Sequence, residues 1–223
     1  MKRKLTAHEV IKGWDAKAHE LLKGFDPIEG GPHRIVLLSP VLFTLIPPVA
    51  GKKVLDAGCG EGYLSRKLAR LGETVTAADL SRVMIEIARE RTSSDLSIQY
   101  IRGNCEKMDF LQPKSFNIVI SSMVIQDLPD HRAFLHSINT LLRDDGILVM
   151  SFSHPCFITP DHGWERDKDG RKLHWYIDRY FSEGPNMQPL SANNDPPIFL
   201  FHRTLSEYLR SIMQHARCGI TPW

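Results

Sequence analysis

Long apolar runs are missing from this 223-residue sequence. Its most hydrophobic stretch, Ile35 to Ala50, is interrupted by Ser39, Pro40, Pro47 and Pro48, and is too short and too broken to span a bilayer. No signal-peptide pattern precedes it, because the N-terminus runs into a polar helix pattern. Cysteine is scarce. Cys59, Cys105, Cys156 and Cys218 are scattered, with no CxxC pair and no His/Cys group at metal-ligand spacing, so no metal is expected. Thiols placed in a glycine turn and after a strand suit a reduced, cytoplasmic protein. An excess of one charge is also absent. With 28 Lys and Arg against 26 Asp and Glu the net charge is +2, and the short basic start Lys2-Arg3-Lys4 reads as a solvated end. Neither a membrane nor a nucleic acid is an expected partner.

What the sequence does contain is centred on Lys52 to Ser65. Val54, Leu55 and Ala57 read as a buried parallel strand. The strand leads into Asp56-x-Gly58-x-Gly60-x-Gly62, and from Tyr63 the spacing of Leu64, Leu68 and Leu71 is helical. Strand, glycine turn and helix together form the local geometry of nucleotide binding, since glycine lets the backbone approach a ligand and the helix start presents unpaired N–H groups. The dinucleotide fingerprint would need a third glycine at position 63, where Tyr63 stands.

The turn resembles motif I of the class I S-adenosylmethionine-dependent methyltransferases. The resemblance continues in order from about residue 50 to 152. It takes in Val75 to Ser81 with Met84 and Ala88, Gly103-Asn104-Cys105-Glu106, Phe116 to Ser122 with Leu128-Pro129-Asp130, and Leu141 to Val149. It implies the small-molecule branch, S-adenosylmethionine as cofactor, and a cofactor site made of Asp56, Gly58, Cys59, Gly60, Gly62, Asp79, Leu80, Asn104, Cys105, Glu106, Ser121 and Ser122. Asp79 also stands on its own chemistry, because a carboxylate ending the second strand can accept from both ribose hydroxyls of a nucleoside. Asn104 replaces a common Asp beside the adenine amino group and keeps an acceptor oxygen. Asn117 replaces another Asp and reads as a cap at a strand start.

Around this core the chain alternates regularly. Strands are expected at 53–57, 74–79, 97–101, 116–121 and 147–152, the last after the turn Asp144-Asp145-Gly146. Helices are expected at 62–71, 81–91 and 130–143. Such alternation predicts an α/β, Rossmann-like doubly wound fold, a mostly parallel sheet with helices on both faces. Residues 6–24 read as an amphipathic helix carrying Val10, Trp14, Ala18, Leu21 and Leu22, and residues 33–46 as a second helix. The organisation expected is a single domain in three parts: lid helices at 1–50, the cofactor core at 51–152, and an acceptor-side insertion with a C-terminal helix at 153–223. Residues 153–197 show no clear period. A strand-like piece at Ile198 to Arg203 precedes a helix at 205–217. The family sheet usually closes with an antiparallel hairpin, and too few residues remain here for it. Ile198 to Arg203 takes one of those places, or the C-terminal strands are incomplete and leave an edge suited to a homodimer. A truncated or frameshifted version of a longer product would end the same way.

Ligands in such sheets bind beyond the carboxyl ends of the strands, which places the small-molecule acceptor near Ser121, Ser122, Met123, Gln126, Ser153 and His154. His154 is the expected base or orienting donor, with histidine hydrogen-bonded within a loop as the plain alternative and with His174 and His202 as weaker candidates. Trp14, Gln126, His154, Trp175 and Tyr176 are the expected acceptor pocket, while Trp164, Trp175, Tyr176 and Tyr180 read equally well as core beneath a long loop. Asn194-Asp195-Pro196-Pro197-Ile198 looks like the signature of nucleobase amine methylation, but it lies beyond strand 5 and ends in Ile, so it reads as a turn. The resemblance thus implies methyl transfer to a small molecule. The alternatives are a non-catalytic cofactor-binding relative and a dinucleotide-dependent oxidoreductase.

Overall fold

The computed structural model describes residues 5–26, 28, 30–48, 50–188 and 196–215. The basic start, Cys218, Asn194-Asp195 and the last residues, Gly219 to Trp223, lie outside them. Helix α1 (Ala7–Leu21) opens with a capping box, in which Thr6 accepts from the Glu9 N–H and Glu9 reaches back to Thr6. The expected second helix starts with a π-helical stretch, Arg34–Leu38, before α2 (Ser39–Leu45). The alternating core then runs β1 (Lys53–Ala57), α3 (Tyr63–Arg70), β2 (Thr74–Asp79), α4 (Arg82–Glu90), β3 (Ile98–Arg102), β4 (Phe116–Ser122), α5 (His131–Leu141) and β5 (Leu142–Ser151).

These strands form a five-stranded sheet in the order β3-β2-β1-β4-β5, and every pairing within it is parallel. The β1 residues alternate between two cores. Val54 joins Leu64, Leu68, Ile85, Ile118 and Ile120 on the face covered by α2, α3 and α4. Leu55 and Ala57 join Val119, Phe134, Leu135, Ile138 and Tyr208 on the opposite face. The period-2 pattern of a strand buried on both sides therefore fills two layers. Helix α1 lies outside this sandwich, where Ala18, Leu22 and Trp14 pack on Met84 and Ile87 of α4.

Two boundaries differ from the sequence reading. Asp144-Asp145-Gly146 lies within β5 as an irregularity, because the register moves from Phe116↔Leu142 to Ile118↔Ile147. Residues 153–188 contain two hairpin partners rather than an unbroken loop. Strands β6 (Asp161–Arg166) and β7 (Lys172–Asp178) pair with each other, and β8 (Gly184–Gln188) pairs antiparallel with β9 (Ile198–His202). Ile198 to Arg203 therefore takes neither of the closing places in the main sheet. Among the described residues that sheet ends at β5. Helix α6 (Leu205–His215) then packs against α5 through Tyr208.

Candidate functional site

The carboxyl ends of β1, β2 and β4 open onto a cavity of about 420 Å³. Its floor is the glycine turn. The N–H groups of Gly58 and Cys59 donate to Ala78 O at 2.8 and 3.0 Å, binding the turn to the end of β2. Gly58 has φ +83°, and a Cβ there would stand 2.4 Å from Val124. Gly60 has φ +54°, and a Cβ would meet nothing within 4 Å. Gly58 is thus a packing glycine, whereas Gly60 leaves open space at a cavity wall.

Asp79 faces that turn. Its Oδ2 accepts from the Gly60 N–H and its Oδ1 from the Ser81 N–H, both at 2.8 Å. Burial raises its pKa above the ordinary value, against the pull of those two bonds. Asp56, one strand away, is buried with Ser65 Oγ donating to it at 2.5 Å, and burial raises its pKa to about 6. The neighbouring thiols of Cys59 and Cys105 are raised by burial as well, so both are protonated near neutrality.

Helix α1 and the segment after it close the cavity from outside. Ala7, Val10, Ile11 and Trp14 line it, followed by Phe25, His33 and Arg34. Arg34 is held by charge and by rings: its Nη1 lies 2.6 Å from Glu61 Oε1, and its guanidinium stands 4.3 Å from the Tyr63 ring centroid. Glu61 is 1% exposed and also pairs with buried Arg66 at 2.7 Å and with Arg91 at 3.4 Å. Ser81 Oγ donates to Asp15 on α1, a second tie between the cover and the core. Partial desolvation and the Arg34 charge lower the pKa of His33, an exposed residue at the rim of the cavity, which favours its neutral form.

Of the residues expected at a cofactor, Asp56, Gly58, Cys59, Gly60, Asp79, Leu80, Asn104, Cys105 and Ser122 line this cavity together. Asn104 Oδ1 accepts from the Glu106 N–H at 2.9 Å and retains a second lone pair. Gly62, Glu106 and Ser121 stand behind the wall. Gly62 caps α3 with φ +79°, Glu106 accepts from the Asp130 N–H at 2.5 Å, and Ser121 is fully buried in β4. Asn117 Oδ1 accepts from the Lys53 N–H, which ties β4 to β1 at the strand start.

Of the residues expected at an acceptor, Trp14 and Gln126 line the cavity, and His154, Trp175 and Tyr176 do not. His154 is exposed and caps a short 3-10 turn, its Nδ1 accepting from the Cys156 N–H at 3.3 Å. Trp175 packs against Trp164 across the β6–β7 hairpin and against Phe157, and Tyr176 lies on the same strand. Hairpin pairing sets Trp175 against Trp164, and Tyr176, on the opposite face of the strand, over Gly163. His174 pairs with exposed Glu165, and His202 is buried against Tyr180 O.

Several wall residues escaped the sequence reading. His33 and Arg34 follow a Gly-Gly-Pro breaker that carries no chemical signal. Asp127 adjoins Gln126 without a motif, and Leu200 comes from β9, far along the chain. Met123 has φ +62° where β4 ends, and a non-glycine residue held in the left-handed region at a cavity wall is a mark of a working site.

The profile of the family described as "Methyltransferase domain" matches residues 55–150. The chain is 39% identical over 106 residues to the mitochondrial ubiquinone biosynthesis O-methyltransferase of Schizosaccharomyces pombe, covering 46% of this chain and 38% of that protein. It is 36% identical over 138 residues to the ubiquinone biosynthesis O-methyltransferase of Actinobacillus pleuropneumoniae, covering 57% and 58%. The matches thus span between about two-fifths and three-fifths of the length of these curated relatives. Among solved structures, an S-adenosylmethionine-dependent methyltransferase of Mesorhizobium loti is 30% identical with a TM-score of 0.67, covering 79% of each chain.

Proposed function

Because the chain belongs to the class I S-adenosylmethionine-dependent methyltransferases, we propose that it transfers a methyl group from that cofactor to a small-molecule acceptor bound in the same cavity. One observation carries the reading: the Asp79 carboxylate and the Gly60 turn meet at 2.8 Å on the cavity wall. The fit can be judged from the donor set. Two backbone N–H groups occupy two acceptor positions of Asp79, and a carboxylate has about four, which leaves lone pairs for a pair of vicinal hydroxyls. Open space above Gly60 admits a ligand close to the backbone. Asn104 supplies a further acceptor on the same wall. The residues present fit a nucleoside with a ribose, and Asp79, Gly60, Leu80, Asn104 and Ser122 would hold it.

When bound, the sulfonium supplies a methyl group already activated for displacement. The task left to the protein is positioning, the exclusion of water and, where the acceptor must lose a proton, a base. Helix α1 with Phe25 and Arg34 excludes water from outside, and the Arg34–Glu61 and Ser81–Asp15 contacts hold it shut over the turn. His33 replaces His154 as the proton acceptor, because it stands at the rim of the cavity and its neutral form is favoured. The cover and the β8–β9 hairpin lie outside the span matched by the family profile, so the acceptors of the named relatives are not assigned to this chain.

The division into a cover at 1–50, a core at 51–152 and an acceptor-side part at 153–223 is the functional reading of the same elements. No helix among the described residues is long and apolar enough to cross a membrane, and we place the protein in the cytoplasm, with the free edge of β5 as the surface for a homodimer. The deciding experiment is calorimetric titration with S-adenosylmethionine and its demethylated product. One-site binding that is lost in Asp79→Ala is the expected result. Absence of binding by a cooperatively melting protein would refute the reading.

A further inference from the structure

Two buried polar side chains on the cavity wall are not among the residues assigned to the cofactor. Gln126 lies in the 3-10 turn Ile125–Asp127 after β4, is 3% exposed, and its Oε1 has no hydrogen-bond partner. Asp127 buries its Oδ1 next to it, equally unpartnered. Both line the cavity. Buried polar atoms are almost always satisfied, and two unsatisfied ones on adjacent residues require a reason.

The backbone on either side of them is clamped. Arg203, at the end of β9, donates through Nη1 to Ile125 O at 3.3 Å and through Nη2 to Leu128 O at 2.7 Å and Pro129 O at 3.1 Å. The Asp127 N–H donates to Val124 O at 2.8 Å. Arg203 thereby fixes the backbone of the loop that carries Gln126 and Asp127. Val10, Trp14, Phe25, Leu128 and Leu200 make the rest of this wall apolar. Burial, with the Asp79 charge adding to it, raises the Asp127 carboxyl well above its usual range, which favours its uncharged form beside the neutral amide.

Taking the cavity as the methyl-transfer site, we propose that Gln126 and Asp127 are the polar end of the acceptor chamber and bind a hydroxyl group of an otherwise apolar, uncharged acceptor. A hydroxyl donates once and accepts through its lone pairs, so it can satisfy both side chains at once. An anionic group would be desolvated there with no cation among the two.

The proposal is tested on the full chain with Gln126→Leu and Asp127→Leu. Groups kept unsatisfied for a ligand weaken the empty protein, so each substitution should leave Tm unchanged or raise it by about 2 °C. S-adenosylmethionine affinity should stay within about threefold. Phenol and toluene, of similar size, are then titrated with and without S-adenosylhomocysteine. Phenol should bind the unsubstituted protein at least about tenfold tighter than toluene, a preference lost in both variants. A fall in Tm would make the pair structural, and a loss of cofactor affinity in a folded variant would place it in the cofactor's own subsite. Equal binding of the two probes, or binding of neither, also overturns the proposal. Failure of the unsubstituted protein to bind S-adenosylmethionine would instead sink the methyltransferase reading, and the stability and probe results would still decide the role of the pair.

Discussion

At the scale of single residues, the two glycines of the turn separate folding from binding. Gly60→Ala places a Cβ in open space, so its fold cost is the strain of a left-handed residue, about 1–2 kcal/mol, while the added methyl intrudes on the ligand's approach. A folded protein with cofactor affinity down by at least about tenfold is expected from calorimetry. Asp79→Ala should weaken binding by a similar factor, the worth of two hydrogen bonds to a charged acceptor, and unchanged affinity would remove the ribose assignment. His131 and Asp56 predict opposed pH dependences. Burial, with Arg203 adding, pushes His131 down to about 4, below the unfolded value, so the fold keeps it neutral. Its contribution is complete above pH 6.5 and is lost as pH falls toward 4. Asp56, raised to about 6 from 3.8, costs stability as pH rises through that window. Urea melts of His131→Gln should therefore show a protein whose stability falls less than the unsubstituted one between pH 6.5 and 4, by on the order of 1–3 kcal/mol.

At the scale of elements, the cover over the cavity depends on how its helix begins. Thr6 and Glu9 satisfy N–H groups that α1 would otherwise leave open. Thr6→Ala should cost about 1 kcal/mol and raise amide exchange in the first turn of α1 before it affects the sheet. The β9 strand has a different task. It pairs with β8 away from the main sheet, and Arg203 at its end holds the loop after β4 in place. Much of what appears in sequence as an irregular insertion thus supports the wall made by a core element.

At the scale of the whole molecule, Glu61 joins three regions. It accepts from Arg66 on α3, Arg34 on the cover and Arg91 after α4, and Glu61→Gln would remove the carboxylate charge that the fully buried Arg66 pairs with. Removing one partner of a buried ion pair typically costs about 3–5 kcal/mol, so a Tm drop of several degrees with early exposure of the N-terminal segment to protease is expected. A variant as stable as the unsubstituted chain would show that the cover is held by apolar packing alone.

The sequence by itself determined the alternating core: the strand and helix spans from Lys53 to Ser122, the parallel sheet, and the positions of Gly60 and Asp79. Each of these rests on near-neighbour physics, the periods of strand and helix and the φ freedom of glycine, which a short window contains. Only the tertiary structure decided which side chains share the cavity. Asp127 from the β4 end, His33 and Arg34 from the cover, and Leu200 from β9 meet there beside the expected Trp14 and Gln126, whereas Trp175 and Tyr176 lie on their own hairpin. The same packing bound Ile198 to His202 to β8 and left β5 at the sheet edge. Contacts between residues so far apart in the chain depend on loop closure and the burial of matched faces, and no local pattern encodes their outcome.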